Sequence, residues 1–492
     1  MSLRNWLWIS ASLLALAAVL VIAGCGGHGL RSKMASSALG TPGVVTTTMS
    51  DPGTCQATAG SSGIFTHIFV TVADVKMNTN ANAGDSDPGF VDATPNLANA
   101  PVQVDLLGVA SAQCFLAQLG SGIQIPAGNY QQLRIILANN SQTVANNQCA
   151  LTAGGTSANC VQLSNAGVAG AIDALVLSSE ATTGIKILSS QIAGGGITVS
   201  SGQTANLNLD FNACASVVQQ PDGSFRLKPV VHAGAVVTAA AISGTVVDSA
   251  TTAPIPSGVV IVALEQKDSA GVDRVIMETA VDNTGTFNLC PVPAGTYDVV
   301  ISAVRGSTPS TTVQYAATVV TGVQPGSTLG SVPVIAQLSP PGTLFATITG
   351  QVTSAGTAGG VPVDVVVSAL QPIKVSGSTA TMLVTIPLAQ QSATTQTVVT
   401  QAIACPAATD CGNYTLDVPA QKPSVAAFVS GTPVNPVADL TTPVAYTVDA
   451  QAANINSAGA VDCASGMQVG PINVTPGGTP FTASTMNFTG CQ

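Results

Sequence analysis

Charge is what this sequence has least of: 7% of its residues are Asp, Glu, Lys or Arg, while 46% are hydrophobic. Its 13 Lys and Arg stand against 23 Asp and Glu, which leaves no basic surface to neutralise a phosphate backbone and excludes nucleic acid as a partner. Disordered chains combine low hydrophobicity with high charge, so the opposite balance here predicts a folded chain with an uncharged polar surface. Histidine is scarce too. The three are His28, His67 and His232, and without a Cys-x-x-Cys pair they give no zinc site of the usual spacing. Neither a Gly-x-Ser-x-Gly elbow nor His-Glu-x-x-His occurs, so the familiar hydrolase signatures are missing. Both tryptophans, Trp6 and Trp8, sit in what reads below as a leader, and losing them removes the usual stacking platform for sugar rings.

That leader is the first feature present. Arg4 supplies a positive start, and Leu7 to Ala23 is apolar except for Ser10 and Ser12, the pattern of a signal-peptide core. A spanning helix needs about 20 apolar residues, and this run stops short at Gly24-Cys25-Gly26-Gly27. Ile22-Ala23-Gly24-Cys25 resembles the bacterial lipobox. The resemblance implies cleavage before Cys25 and lipid on that cysteine, with residues 1–24 as signal peptide and 25–43 as a tether. Two or three acyl chains attach far more stably than one. Gly26, rather than Asp, follows the cysteine, which in lipoproteins of this type implies sorting to the outer membrane.

Cysteine usage agrees with export. Of eleven cysteines, removing Cys25 leaves an even number, as disulfides in an oxidising compartment require. Short loops suggest Cys149 with Cys160, Cys405 with Cys411, and Cys463 with Cys491. Cys55, Cys114, Cys214 and Cys290 stay unassigned.

Behind the tether the signals are those of strands. Ile64 to Val72 reads as a strand buried on both faces. Ala205, Leu207, Leu209 and Phe211 alternate with Asn206, Asn208 and Asp210, which predicts a half-buried strand. Pro126-Ala-Gly-Asn-Tyr130 and Pro221-Asp-Gly-Ser224 are turns. No apolar run keeps a 3.6-residue period, so helices should be few and short. The expected fold is all-β, with tandem antiparallel β-sandwich modules. Residues 44–238 resemble a bacterial lipoprotein domain, domain-of-unknown-function family 4382. The likeness rests on His67-Ile-Phe-Val-Thr-Val72, Val104-Asp-Leu-Leu107, Pro126-Ala-Gly-Asn-Tyr-Gln-Gln-Leu-Arg134, Leu209-Asp-Phe211 and Leu227-Lys-Pro-Val-Val231. It implies a β domain, and since the family has no assigned activity it adds no function.

Residues 239–338 resemble the carboxypeptidase regulatory-like domain, a seven-stranded sandwich of transthyretin type. Ile242-Ser-Gly-Thr-Val246, Pro256 to Leu264 and Gly285 to Val299 carry that resemblance. Residues 343–492 read as a second, divergent sandwich whose C-terminal part is pinned by cysteines. Ile348-Thr-Gly-Gln-Val352 echoes Ile242 to Val246, and Gly412-Asn-Tyr-Thr-Leu-Asp-Val418 echoes Gly295-Thr-Tyr-Asp-Val299. Ser339-Pro-Pro-Gly342 is the expected linker. The stretch after Gly431 is expected either to complete the sandwich or to stand as a small lobe.

Chemistry has little to work with. His28 falls in the tether, His67 in a strand core, and His232 at a strand end with a structural or surface role. Asp85-Ser-Asp87 departs from a calcium loop at Gly89 and Phe90, which leaves a solvated loop. Gly194-Gly-Gly196 leads into a strand and not a helix, so it cradles no phosphate. The glutamates are Glu180, Glu265 and Glu278, thin support for a glycosidase pair. The expectation is therefore a non-enzymatic, lipid-anchored envelope protein with no cofactor, no metal and no catalytic residue, acting structurally or adhesively on an envelope protein or glycan. The alternative is a glycan- or small-ligand-binding lipoprotein, and third a hydrolase with an unrecognised site.

Overall fold

Alternating apolar and polar residues turn almost every described segment into a strand. The computed structural model describes residues 41–491 except 51–64, 108–116, 166–167, 220–222, 237–240, 256–257, 269, 283, 291, 306–312, 337–344, 357–358, 361–364, 375–380, 389–396, 399, 402–404, 438–443, 453–465 and 478. The leader, Cys25, most of the tether, Cys55, Cys114, Cys463 and the linker at 339–342 lie outside the described residues. Helix is confined, among those described, to Ala213–Ser216 and to single turns at Ser189–Gln191 and Ala193–Gly195.

In the first region the strand Phe65–Asn78 is the hub. It pairs antiparallel with Val102–Asp105, Gln132–Leu137 and Cys160–Asn165, so three of the sequence blocks meet on neighbouring strands. A second sheet runs Val231–Ala235, Thr204–Phe211, Gly43–Ser50, Ala117–Ile125. One core joins Met49, Leu207 and Leu209 of that sheet to Ile68, Leu133 and Ile135 of the first. The hairpin expected around Pro221 forms between Val217–Gln219 and Phe225–Leu227.

The half-buried reading of Ala205 to Phe211 needs correction. Asn208 and Asp210 are buried as well, because their strand is central, flanked on both sides. Their polar groups are satisfied laterally: Asn208 donates to Ser50 Oγ, and Ser50 donates to Asp210, both at 2.8 Å.

The second region has seven principal strands in two layers. Thr286–Leu289, Ile242–Asp248 and Thr328–Val334 form one sheet, and Thr318–Val323, Tyr297–Arg305, Gly258–Lys267 and Val272–Ala280 form the other. Its neighbour does not follow as a separate bead. Thr381–Thr385 pairs in parallel with Val272–Ala280, and Ser424–Ala427 in parallel with Thr318–Val323. Both edges of the second region's four-stranded layer are thus covered by strands from beyond residue 380, which leaves no edge there to recruit another chain. The result is an 11-stranded sheet shared by the two sandwiches. These parallel contacts, with another between Gly43–Ser50 and Thr204–Phe211, make the sheets mixed and not purely antiparallel.

The C-terminal stretch completes the third sandwich. Gly466–Val474 adds to Val444–Ala452 in the shared sheet, and Met486–Cys491 lies parallel to Phe345–Gly356 in the opposite layer.

Strand register also corrects the internal repeat. Gly350 lies opposite Tyr414, whereas Gly244 lies opposite Phe287 and not Tyr297. Gly285-Thr-Phe-Asn-Leu289 is therefore the true counterpart of Gly412-Asn-Tyr-Thr-Leu416. In both copies the aromatic ring lies over its glycine: a Cβ on Gly244 would come within 2.9 Å of the Phe287 ring, and one on Gly350 would overlap Tyr414. Tyr297 belongs to a different device, shared with Tyr130. Each ends a Pro-Ala-Gly-x-Tyr turn and donates its hydroxyl to the carbonyl four residues back, Tyr130 to Pro126 at 2.7 Å and Tyr297 to Pro293 at 2.9 Å. The Tyr414 hydroxyl makes no such bond.

Tyr297–Arg305 is buried along both faces. Successive residues of a strand point to opposite sides, so Val299 and Ile301 enter the second sandwich's core while Val300 enters the third's. Val300→Asp places an unpaired charge in that core and is expected to cost about 4 kcal/mol or more. Hydrogen exchange should show the loss in Phe345–Gly356, a strand of the third sandwich. Unchanged protection there would contradict the shared packing.

The disulfides Cys149–Cys160 and Cys405–Cys411 form as the short loops suggested. Cys290 and Cys491 are also disulfide-bonded, and Cys214 falls in the short helix Ala213–Ser216.

Candidate functional site

A cleft of about 750 Å³ opens where the three regions meet. The turn around Gln191 and the strand end at His232 line it from the first region, Gln266 to Asp268 and Arg274 from the second, and Ser368, Thr385 and Gln451 from the third. Direct bonds tie the first two regions together beside it. The Gly194 amide donates to the Gln266 side chain at 3.2 Å, and the Asn212 amide donates to Glu278.

The charges of Arg274 and Asp268 in the cleft are already spent on fixed partners, while Lys267 is exposed. Arg274 donates from Nε to Asp268 at 3.0 Å and from both terminal nitrogens to Asp449 at 2.5 and 3.3 Å. Gln451 and Gln468 also donate to Asp449, which satisfies a carboxylate only 1% exposed. Burial lowers the pKa of His232 to about 4, so its ring is neutral at ordinary pH. Directly opposite it on the neighbouring strand, burial pushes Asp210 up to about 7, with Ser50 acting in the opposite sense. Ser50 donates to Asp210 itself, so no histidine stands between hydroxyl and carboxylate as nucleophilic catalysis needs.

Below the cleft, three carboxyls lie in the join between second and third sandwiches. Glu265 and Asp298 are cross-strand partners, and Asp273 faces Val384 across the parallel pairing. The Thr385 amide donates to Glu265 at 3.1 Å, and the Thr385 hydroxyl to the Asp273 carbonyl at 2.7 Å. Desolvation, then the charge of Asp273, raises the Glu265 pKa well above its ordinary value. Asp273 is pushed up to about 8, first by burial and then by Asp298. Asp273 Oδ2 is buried with no hydrogen-bond partner among the described residues. Among the described residues no group of three or more His, Cys, Asp or Glu side chains is arranged to hold a metal ion.

The remaining sequence candidates scatter. His67 is not in a core: its side chain is 41% exposed, and Nδ1 donates to Asp105 at 2.6 Å with the ring stacked on Phe69. The strand's pleat turns it outward, between the inward Thr66 and Ile68. The pair has the form of half a catalytic dyad, but no hydroxyl or thiol of the described residues bonds the ring. Asp85 is not a solvated loop residue either. It bonds Arg134 at 2.9 Å and lies 3.5 Å from Lys186, which spends its charge on two cations. Tyr130, Tyr297 and Tyr414 are core residues, 2%, 1% and 2% exposed.

Reading the sequence missed the three-carboxyl join and the Arg274–Asp449 pair. A signal for the first was present: Glu265 closes the apolar run Val259 to Leu264, and Asp298 interrupts Tyr297-Asp-Val-Val. Acids inside such runs face another layer and not water.

Residues 43–229 match the profile of a family described as Domain of unknown function (DUF4382). That span covers the first β region and less than half of the chain. No curated protein matches. Among solved structures, the chain is similar to the Bacillus anthracis TIE protein, at 9% identity and a TM-score of 0.14 over 91% of this chain and 50% of that one. It thus spans half that protein's length. It is also similar to a streptococcal ancillary pilin, at 8% identity and a TM-score of 0.16 over 91% and 98%. A third is GBS52, the minor pilin of Streptococcus agalactiae, at 9% identity and 0.15 over 51% and 95%. At such scores the fold is read from the strand pairings themselves: this is an all-β protein of several sheets whose first region carries the family match.

Proposed function

We propose that this chain is a lipid-anchored protein of the bacterial outer membrane that acts without catalysis, as a structural or adhesive scaffold presenting a stiff β body to an envelope protein or glycan. The observation that carries the reading is the shared 11-stranded sheet. Regions joined through sheet pairing and through a strand that feeds both cores resist bending as linker-joined beads do not, which suits a body that transmits force or holds a surface at a fixed angle. The lipobox resemblance at Cys25 supplies the attachment, and the paired cysteines suit an oxidising compartment. The carboxypeptidase regulatory-like character of the second region belongs to the same reading.

The test is chemical cross-linking on intact cells, followed by capture of the anchored protein. A macromolecular partner should recur across independent captures, with contacts on the β body. Absence of any such partner, or a partner lost only when substrate-sized molecules compete, contradicts the scaffold. The second outcome favours the alternative, a small ligand in the 750 Å³ cleft, whose amide side chains suit a neutral polar molecule.

A further inference from the structure

We propose that the join between the second and third sandwiches is a pH-responsive hinge, closed while Glu265 and Asp273 retain protons beside Asp298 and loosened when they ionise.

The three side chains converge on one side of the shared sheet, from Gly258–Lys267, Val272–Ala280 and Tyr297–Arg305, against Thr381–Thr385 of the third sandwich. Glu265 is fully buried, and its Oε1 has no hydrogen-bond partner among the described residues. Among the described residues no cation forms an ion pair with them. Arg274 acts on Glu265 but is held by Asp268 and Asp449. Lys267 acts on Asp273 from an exposed position, and Asp268 adds to the repulsion. Thr381–Thr385 offers only the amide and hydroxyl of Thr385, and Thr318–Val323 only the Gly322 amide, which donates to Asp298 at 3.0 Å. Ionising the cluster therefore places like charges in a dry join, a cost that separating the layers relieves by admitting water.

The sign follows from linkage. A carboxyl whose folded pKa is raised keeps a proton that the opened state releases, so closure weakens as pH rises through the gap between the two values. For Asp273 the gap runs from 3.8 to about 8, and Glu265 shifts in the same direction. Each such carboxyl changes the closing constant by up to about tenfold per pH unit within its gap. The join is thus tightest in mild acid and loosest in alkali. The first region moves with pH as well: Asp210 is raised to about 7, while neutral His232 costs stability as pH falls below 6.5 towards about 4. The test must therefore be local.

Hydrogen exchange on the full chain, corrected for the intrinsic pH dependence, gives protection factors for peptides covering residues 381–388 and, as reference, 132–137. Between pH 6 and pH 9 protection at 381–388 is expected to fall by about tenfold or more relative to the reference. The double variant Glu265→Gln, Asp273→Asn should reduce that fall to about threefold or less, while Asp210→Asn, distant from the join, should leave it as in the wild type. If the double variant does not fold, the single variants Glu265→Gln and Asp273→Asn replace it, each with a partial flattening of that fall. A wild-type join equally protected at both pH values, or a folded variant that loses protection as steeply as the wild type, overturns the proposal.

Discussion

Replacing Arg134 with methionine is expected to destabilise the first β region by about 3 kcal/mol or more, read as a lower denaturation midpoint at unchanged slope. The side chain is 3% exposed and serves as a buried post around which residues 79–90 wrap. Its guanidinium donates to the Gln132 side chain at 3.2 Å, to Asp85 at 2.9 Å, and to the carbonyls of Thr183 and Ala83 at 3.3 and 3.1 Å. Phe90 stacks on its face at 4.4 Å. Methionine fills the space but leaves two carbonyls without a donor and Asp85 with only the longer contact to Lys186. Lysine should recover little, because a single ammonium cannot reproduce a planar fork with five donors. The experiment also separates this post from a calcium loop. A cation bound at a hundred times its dissociation constant stabilises by about 2.7 kcal/mol, whereas here millimolar calcium should leave the midpoint of wild type and variant alike unchanged.

The sequence made the strands legible and left their neighbours hidden. Thr204–Phe211 was visible as a period-2 pattern, but nothing local shows that strands flank it on both sides, so Asn208 and Asp210 looked solvent-facing. The same limit applies to Tyr297–Arg305, where burial on two faces depends on strands more than 100 residues away in the chain, such as Asp410–Pro419, whose Leu416 and Val418 share a core with Val300. The repeat was shifted for a related reason. Tyr297 and Tyr414 share a Gly-x-Tyr spelling, whereas register is set by the long-range partner, and it is Phe287 that lies over Gly244 as Tyr414 lies over Gly350. Short-range features fared better: the Cys149–Cys160 and Cys405–Cys411 loops close within 11 and 6 residues, distances a local reading can judge. The candidate site was the least legible part. Its cleft and its acidic join draw on all three regions, so no contiguous motif could announce them; only the acids inside apolar runs hinted at a second layer.

Cys25 bears most directly on the proposed function, because a scaffold of the envelope has to be held there. Two or three acyl chains, at about 0.8 kcal/mol per buried CH₂, give stable attachment, and among the described residues no helix is long and apolar enough to cross a membrane. The deciding measurement is fractionation combined with intact mass, comparing the wild type with Cys25→Ala produced behind an ordinary cleavable secretory leader. The wild type should pellet with membranes, begin at Cys25 and carry the mass of its acyl chains, while the variant should be almost wholly soluble and unmodified. A wild-type protein without lipid mass, or a variant that pellets as completely as the wild type, would contradict the account.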